Sequence, residues 1–322
     1  MEPIIPPVSR SLLEEELTKE RFVRYSSRGE NKLYDFNAHE APNAMREVGR
    51  LREIAFRAAG GGTGRSTDID EYDTSMEAPY RQLVVWNPKT REILGGYRYI
   101  LGAGLDPKHL ATFPIFDFSE RFVNDYLPFT VELGRSFVQP NYQTSNDNRS
   151  GLYALDNLWD GLGALIVRYP AMKYFFGKVT MYLSYNQQAR NCLLYFMNKY
   201  FPDQDRLVLP RLPLDFNAEN PYYKNLFGAN EYEKDYRTLG QEIRSYGERI
   251  PPLINSYMRI SPNMRVFGTT LNPHFGDVEE TGILITIKDM YPEVVGRHMT
   301  SLKNFAERVR LRWWRKPIEA DN

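Results

Sequence analysis

The sequence between residues 129 and 138 reads Phe-Thr-Val-Glu-Leu-Gly-Arg-Ser-Phe-Val, which predicts a strand. Two apolar runs precede it, over residues 82–86 and 93–101, and a short polar turn containing proline joins them. This pattern is typical of an antiparallel hairpin. A helix, a strand and a second helix are predicted after it, over residues 152–168, 174–183 and 187–200. The order of these elements predicts an α/β fold, with a mixed and mainly antiparallel central sheet flanked by helices.

The segment before the hairpin predicts a helix that ends in a glycine-rich loop. Apolar residues recur at helical spacing between residues 43 and 59, and Gly60-Gly61-Gly62 ends the helix. The loop differs from a phosphate-binding P-loop, because Arg65 stands where the lysine is required and because the loop follows a helix. We therefore interpret it as a flexible connector. The acidic residues 68–73 lack the glycine and the distal glutamate of a calcium loop, and are interpreted as a solvated turn.

The chain is interpreted as one catalytic unit with additions at both ends. Residues 1–42 alternate proline, charged residues and short apolar runs, and are predicted to form an N-terminal arm. Residues 43–290 are predicted to form the catalytic domain. Within it, the proline- and tyrosine-rich residues 202–250 are interpreted as an insertion or lid. Residues 291–322 form the last unit, a basic amphipathic C-terminal helix.

The composition excludes several classes of protein. Of the 322 residues, 42% are hydrophobic and 25% are charged, so the chain is globular rather than disordered. Lysine plus arginine and aspartate plus glutamate both total 41, so the net charge gives no case for a nucleic-acid binder. The single cysteine, Cys192, excludes an intramolecular disulfide framework, and its apolar setting predicts a buried packing residue. The histidines lie far apart, so no metal site is predicted.

The sequence also bears on localisation. Its first residues contain no basic region followed by an apolar one, so no signal peptide is predicted. No stretch approaches the ~18 apolar residues that a membrane-spanning helix needs. We therefore expect a cytoplasmic protein. Aromatic residues make up 14% of the chain, which suits a protein that handles an apolar ligand and also suits a large mixed core.

Charged residues on separate segments have a spacing that favours one network beside a pocket. The set consists of Arg52 and Phe56 on the predicted helix, Asp70 and Asp73 after the glycine-rich loop, Arg98 on the hairpin, and Glu132 and Arg135 on the following strand. Carboxylates and arginines from separate segments are able to form one such network. Ordinary surface salt bridges explain any single pair equally well.

These residues lie in motifs that resemble, in order and spacing, the acyl-carrier-protein-dependent branch of the GNAT N-acyltransferase superfamily. The motifs are Leu51-Arg52-x3-Phe56, Asp70-x2-Asp73, Tyr97-Arg98 and Glu132-Leu133-Gly134-Arg135-Ser136. The branch includes the N-acyl-homoserine-lactone synthases and the amino-acid N-acyltransferases of ornithine- and glycine-lipid synthesis, which are often labelled hemolysin-like.

The lipid-forming group of this branch is the more similar one. Two further motifs match it: Leu158-Trp159-Asp160-Gly161-Leu162 and Pro251-Pro252-Leu253-Ile254-x2-Tyr257-Met258-Arg259. They extend the resemblance over roughly residues 43–290. The lactone synthases carry a tryptophan about ten residues after the helix arginine, where this sequence has Gly62, and they are usually shorter. The lipid group is therefore favoured.

The resemblance implies a GNAT-type fold and a reaction in which the α-amine of an amino acid attacks a thioester. The acyl donor is then held on the phosphopantetheine arm of acyl carrier protein. Coenzyme A is less favoured as the donor, because the usual Gln/Arg-x-x-Gly-x-Gly/Ala pyrophosphate loop is not cleanly present. No bound cofactor and no metal ion are implied.

The resemblance also assigns roles to residues of this sequence. Glu132 is the candidate general base, directly or through a water, because the amine is mostly ammonium at neutral pH. Arg135 is a catalytic candidate on the same strand, and Tyr195 is the candidate general acid on the last core helix. The candidates for holding the first helix over the cleft and recognising the amino acid are Arg52, Phe56, Asp70, Asp73 and Arg98. The candidates for binding the acyl donor are the backbone at Ser136, Phe137 and Val138 and the helix N-terminus at Ser150 and Gly151.

The last segment is strongly basic. Between Arg297 and Lys316 there are seven lysine or arginine residues against one acidic residue, Glu307. The apolar residues, with Trp313, fall on one helical stripe, which is typical of an interfacial membrane helix. A helix docked on the domain with a solvated basic face fits the same pattern, and a basic patch also suits an acidic carrier protein.

The resemblance therefore predicts an N-acyltransferase that joins a long, 3-hydroxylated acyl chain to a small amino acid, as the first step of aminolipid synthesis. Glycine is preferred over ornithine, because no motif marks a pocket for a cationic side chain. Two alternatives stay open: an acyl-homoserine-lactone-type signal synthase, and a non-catalytic membrane-binding protein.

Overall fold

A computed structural model describes residues 1–27, 30–143, 149–216 and 220–291, with the backbone alone for residues 149–155. In these ranges the chain forms ten strands: β1 (Phe22–Tyr25), β2 (Lys32–Asn37), β3 (Arg81–Asn87), β4 (Glu92–Leu101), β5 (Phe116–Phe118), β6 (Thr130–Val138), β7 (Tyr174–Met181), β8 (Val208–Pro210), β9 (Arg265–Asn272) and β10 (Val278–Thr286). Eight of them form one sheet in the order β1-β2-β3-β4-β6-β7-β10-β9. The other two, β5 and β8, pair with each other in a separate ribbon.

Neighbouring strands of the sheet are antiparallel, except for β6 and β7, which run parallel. Their pairing is short and extends from Thr130 opposite Tyr174 to Leu133 opposite Gly177. Beyond Leu133, β6 continues to Val138 beside β4 alone, so β6 and β7 diverge in the middle of the sheet. The predicted α/β fold with a mixed, mainly antiparallel sheet is confirmed.

The described ranges also contain eight α-helices: α1 (Arg10–Glu16), α2 (Pro42–Ala58), α3 (Glu71–Thr74), α4 (Arg149–Arg168), α5 (Gln187–Tyr200), α6 (Pro221–Leu226), α7 (Tyr232–Ser245) and α8 (Pro252–Met258). The burial pattern of β3 shows how they cover both faces of the sheet. Leu83 belongs to a core cluster with Leu158 of α4, whereas its neighbour Val84 belongs to a second cluster with Val48 of α2. Successive strand residues point to opposite faces, so α2 and α4 lie on opposite sides.

Most of the elements predicted between residues 43 and 200 are confirmed. The helices α2, α4 and α5, the hairpin of β3 and β4, and the strands β6 and β7 all begin and end within three residues of their predicted bounds. Cys192 on α5 is fully buried, as its apolar setting predicts. These elements are long and strongly patterned, so local sequence is sufficient to find them.

The prediction of an N-terminal arm is wrong for residues 22–37. This segment forms β1 and β2 of the central sheet, and β2 pairs with β3 along its whole length. Leu33 and Phe36 of β2 are fully buried, in the core clusters on opposite faces of the sheet. The residues that bury them belong to α2 and α4. The short apolar runs at 22–37 therefore do not predict strands without knowledge of the rest of the fold.

The interpretation of residues 202–250 as a lid is wrong for the described part of this segment. Its helix α7 packs against α5, and the Leu239 and Ile243 side chains are fully buried in the main core. The apolar stripe of α7 therefore faces the core. In the described part of 202–250, no residue lines the cavity between β6 and β7.

The basic segment 297–316 lies outside the described residues, so its predicted helix stays a prediction. In the part of the chain that the structure does describe, no helix has both the length and the apolar character that crossing a bilayer requires.

Candidate active site

Strand β6 carries a β-bulge at the point where it separates from β7. Two of its residues, Arg135 and Ser136, oppose the single residue Tyr97 of β4. Arg135 has a φ of 52°, a left-handed backbone conformation that non-glycine residues rarely adopt. The bulge follows Leu133, the last β6 residue that pairs with β7. Its backbone therefore borders the gap between the two diverging strands, a position where bulges commonly serve active sites.

A cavity of about 290 Å³ fills this gap. Residues 175 to 180 of β7 all line it, and so do residues 133 to 136 of β6. Successive residues of a strand point to opposite faces of the sheet. The cavity therefore passes through the sheet, and its two parts have different surroundings.

The part of the cavity on the α4 side is apolar. Leu158 and Leu162 of α4 line it opposite Ile283 and Ile285 of β10, and all four belong to the same core cluster. Tyr97 also lines it, and its buried hydroxyl has no hydrogen-bond partner among the described residues. Burial raises the pKa of Tyr97 well above its usual range, so the hydroxyl stays neutral. A buried polar atom without a partner is rare, which indicates a position for a ligand atom.

The part of the cavity on the opposite side is polar. Arg135 and Lys178 line it near Phe275, whose ring centroid lies 4.1 Å from Arg135 Cζ and 6.0 Å from Lys178 Nζ. Lys178 Nζ contacts the fully buried carboxylate of Glu280, which also accepts a 3.3 Å hydrogen bond from Thr180 Oγ1. Burial, together with the nearby Arg135 guanidinium, lowers the pKa of Lys178.

The structure brings the predicted arginines and aspartates together in one buried network next to the polar part. Arg52 Nη1 donates to Asp73 Oδ2 at 3.0 Å, and Arg98 Nη1 lies 2.6 Å from Asp70 Oδ1 and 3.1 Å from Asp73 Oδ2. Burial opposes ionisation of Asp70, yet Arg98 holds the pKa of this carboxyl well below its usual range. Arg52, Arg98 and Asp73 are almost completely buried. The interpretation of residues 68–73 as a solvated turn is therefore wrong.

Defined hydrogen bonds hold the glycine-rich loop, which the sequence analysis interpreted as a flexible connector. The carboxylate of Glu53 accepts hydrogen bonds from the Thr63 amide at 3.0 Å, the Thr63 hydroxyl at 2.8 Å and the Gly64 amide at 2.8 Å. Gly60, Gly62 and Gly64 all have positive φ, a conformation that glycine adopts without strain. These glycines therefore allow the backbone conformation that leads the chain from α2 to the charge network.

Glu132 lies on the same face of the sheet as Lys178 but does not line the cavity. Its carboxylate accepts hydrogen bonds from the Tyr80 hydroxyl, from the Ala111 amide at 3.1 Å and from the Thr112 amide and hydroxyl at 3.1 and 2.5 Å. Burial raises the pKa of Glu132 to about 8, although the two backbone hydrogen bonds oppose this shift. Glu132 therefore anchors the segment around Thr112 to β6.

Comparison with known proteins decides the family. Residues 51–149 match the acetyltransferase (GNAT) domain. A glycine N(alpha)-acyltransferase of Phocaeicola vulgatus is 51% identical over 99% of both chains. A glycine N(alpha)-acyltransferase of Bacteroides thetaiotaomicron is 54% identical over 93% of this chain and 90% of its own length. The chain belongs to this family of GNAT acyltransferases. The alternative of a non-catalytic membrane-binding protein is therefore wrong. No solved structure matches the acyltransferase.

Of the residues predicted for the site of this acyltransferase, Phe56, Arg135 and Ser136 line the cavity. Four others lie in the buried network beside it and do not line it: Arg52, Asp70, Asp73 and Arg98. Their guanidinium and carboxylate groups bind one another, so they hold α2 and the loop after it against β4.

The predicted donor-binding residues occupy the end of β6 and the start of α4. The Phe137 side chain packs in the α2 cluster, and the Val138 side chain packs against the α4 cluster. Their backbone continues the bulged edge beyond Ser136. Ser150 and Gly151 lie in the first turn of α4, where the structure describes the backbone alone.

Tyr195, the predicted general acid, does not lie at the cavity. Its ring stacks on Phe227 at a centroid distance of 5.8 Å and lies 5.4 Å from the ring of Tyr223. Tyr195 therefore packs against α6 and the residue that follows it, an element that the sequence analysis did not predict. The tyrosines that do line the cavity of the acyltransferase are Tyr97, Tyr182 and Tyr257.

Sequence reasoning missed Lys178, Glu280 and the hydroxyl of Tyr97. Lys178 and Glu280 come from β7 and β10, which are neighbours in the sheet but far apart in the chain. One signal was available, because Lys178 is a charged residue in the middle of an otherwise apolar predicted strand. Tyr97 stands beside Arg98 in a quoted motif, but a tyrosine in a hairpin is most simply read as core.

Proposed function

We propose that the protein transfers a long, 3-hydroxylated acyl chain from the phosphopantetheine arm of acyl carrier protein to the α-amine of glycine. The observation that carries this proposal is the cavity between β6 and β7, which passes through the sheet and joins an apolar part to a polar part. Such a cavity suits an apolar acyl donor and a polar amine that meet from opposite faces at one strand edge. The names of the two relatives support glycine as the amine.

The polar part of the cavity favours an amino acid without a side chain. Phe56, Phe275 and Tyr182 line it, and the rings of Phe56 and Phe275 contact each other at a centroid distance of 5.2 Å. Among the described residues, the carboxylate that lines the cavity belongs to Glu280, and Lys178 already occupies it. The second amine of ornithine would need such a carboxylate. These contacts support glycine over ornithine.

Tyr97 supports a hydroxylated acyl chain. It stands opposite the bulge of β6, beside the point where the thioester is proposed to lie, and its hydroxyl has no partner among the described residues. A hydroxyl on the first carbons of the acyl chain would supply that partner. A plain acyl chain would leave the Tyr97 hydroxyl unpaired, at a cost of roughly 1–3 kcal/mol.

The proposed donor is acyl carrier protein rather than coenzyme A. The residues that lead into α4 and form its start, Thr-Ser-Asn-Asp-Asn-Arg-Ser-Gly over 144–151, lack the glycine spacing of a pyrophosphate loop. The first turn of α4 at Ser150 and Gly151 is proposed to meet the single phosphate of the pantetheine arm.

In the proposed reaction the glycine ammonium loses a proton, and its nitrogen attacks the thioester carbon. The new C–N bond forms, the C–S bond breaks, and the pantetheine thiol leaves with a proton. Backbone N–H groups at Ser136, Phe137 and Val138 are the proposed donors to the oxyanion of the intermediate. Glu132 is the proposed proton acceptor, through a water because it lies behind the cavity wall, and a pKa of about 8 suits transfer near neutral pH.

The product of this reaction, an N-acyl amino acid with one long chain, is amphipathic. We assign the reaction to the first step of aminolipid synthesis on this ground. The basic residues of the segment 297–316 are proposed to hold the enzyme at an anionic membrane surface on the cytoplasmic side, where the product would leave.

Mass spectrometry of the purified protein incubated with 3-hydroxypalmitoyl carrier protein and a pool of amino acids tests the proposal. N-acylglycine is the expected product. Acylated ornithine would contradict the choice of amine, and an intact thioester with folded protein would contradict the reaction. Glu132→Gln should lower kcat by about 100-fold or more while the circular dichroism spectrum stays unchanged. Unchanged turnover would contradict its role as proton acceptor.

A further inference from the structure

Lys178 lies at the point where strands β6 and β7 diverge. Gly177 is the last residue of β7 that pairs with β6, so Lys178 is the first residue of β7 beyond the paired region. Its side chain points to the polar side of the sheet, on the same face as Glu132 and Thr180. It therefore lies directly across the gap from the bulge at Arg135.

The arginine side chains near the polar part of the cavity are paired with carboxylates. Arg52 and Arg98 are buried and bind Asp70 and Asp73. Arg135 lines the cavity, but its guanidinium pairs with Asp68 at 2.9 Å. Lys178 differs from Arg52 and Arg98 because it lines the cavity, and from Arg135 because the described residues give its ammonium one carboxylate partner, Glu280, rather than two.

The partner of Lys178 explains how an ammonium group is held at the cavity wall. Glu280 is fully buried, whereas the Lys178 side chain is 13% exposed. Contact with this buried carboxylate favours the charged form of Lys178, against the burial that lowers the pKa of the lysine. Glu280 therefore fixes the ammonium of Lys178, which lines the cavity and has further N–H groups to donate.

We infer that Lys178 binds the carboxylate of the amino acid substrate, and that Glu280 is the positioning residue for its ammonium. This inference rests on the proposed function and adds the residue that recognises the acceptor. With its carboxylate on Lys178 and its methylene group beside the ring of Phe275, glycine presents its amine toward the bulged edge of β6. The inference predicts recognition of a free carboxylate next to the amine.

The experiment compares glycine with glycinamide, which has the same amine and no negative charge. The wild-type protein should prefer glycine in kcat/KM. Lys178→Met should raise the KM for glycine by about tenfold or more, as expected for the loss of a charge-assisted hydrogen bond, and should leave the KM for glycinamide unchanged. Lys178→Arg should restore part of the preference for glycine. Lys173→Met is the matched control, because Lys173 is exposed, lies just before the same strand and does not line the cavity.

A second variant covers the case in which Lys178→Met does not fold because it leaves Glu280 buried without a cation. The double variant Lys178→Met with Glu280→Gln removes both charges together, and it should fold and lose the preference for glycine. A wild-type preference for glycine that persists in either folded variant would overturn the inference while the proposed function stands. Absence of any N-acylglycine from the wild-type protein would overturn both.

Discussion

The hydroxyl of Tyr97 is a sharp test of single-residue reasoning, because its near neighbour Tyr99 provides a control. Both tyrosines are buried on β4, but the Tyr99 hydroxyl donates to Asp35 Oδ2 at 3.0 Å. Tyr97→Phe should lower the preference for 3-hydroxypalmitoyl over palmitoyl carrier protein by about 3- to 10-fold, and should change the free energy of unfolding by less than ~1 kcal/mol. Tyr99→Phe should destabilise the fold and keep the preference. Competition assays and urea unfolding measure the two effects, and an unchanged preference in Tyr97→Phe would count against a hydroxyl contact.

We expect substitution of Arg52 to act mainly by lowering the stability of the fold. Arg52 is completely buried, and its guanidinium holds Asp73 at 3.0 Å and Gln82 at 2.5 Å. Arg52→Met leaves the Asp73 carboxylate partly unpaired in the interior, so the free energy of unfolding should fall by about 3–5 kcal/mol. Arg10→Met removes an exposed ion pair with Glu92 and should cost less than ~1 kcal/mol. Urea unfolding of both variants checks this, and equal losses would show that the network is not a buried structural unit.

Between elements, Glu132 links strand β6 to the segment around Thr112, and its titration should appear in the stability of the fold. Burial raises its pKa to about 8 from an ordinary value near 4.5, so the folded protein retains a proton that the unfolded chain releases. Its contribution to stability is therefore complete below about pH 4.5 and is lost as the pH rises through 8. Glu132→Gln cannot titrate. The difference in unfolding free energy between wild type and this variant should fall by at least about 1 kcal/mol from pH 5 to pH 9 in urea titrations, and a pH-independent difference would argue against a raised pKa.

The elements that local sequence predicted are those with a strong pattern of their own. Helix α2 and the hairpin of β3 and β4 repeat apolar residues at their own periods and are bounded by glycine or proline. Strands β1, β2 and β9 were missed because they are short or lie near an edge of the sheet. Burial of β2 depends in part on a helix distant in sequence, because the fully buried Leu33 belongs to one core cluster with Leu158 of α4. Secondary-structure patterns therefore located the centre of the sheet and not its edges.

Across the whole molecule, the candidate site likewise contains residues that the sequence predicted and residues that it did not. Spacing and family motifs pointed to Arg52, Asp70, Asp73 and Arg98, and these residues do form one network. These residues are buried, so they support the cavity and do not line it. Their burial depends on the folded chain and could not be predicted from the spacing of the motifs. Lys178 and Glu280, by contrast, meet only because β7 and β10 pair across the sheet. No local pattern encodes that meeting.

The proposed attachment of the enzyme to a membrane surface is tested by removing residues 297–322. This segment contains all seven lysine and arginine residues counted between Arg297 and Lys316. Each basic residue near an anionic bilayer contributes about 1 kcal/mol, so a chain that ends at residue 296 should lose co-sedimentation with anionic vesicles. The full-length protein should bind anionic vesicles at low salt, release them as salt screens the charges, and ignore neutral vesicles throughout.

Acyl transfer distinguishes this proposed membrane role from a role in binding the carrier protein. If the segment binds lipid, the shortened chain should acylate soluble glycine with an unchanged KM for acyl carrier protein, because the described cavity lies within residues 56–285. A raised KM for acyl carrier protein together with unchanged vesicle binding would show instead that the basic residues meet the acidic partner. Since the two surfaces compete for the same charges, measuring both properties on one truncated protein separates electrostatic attraction to a lipid headgroup from attraction to a protein carboxylate.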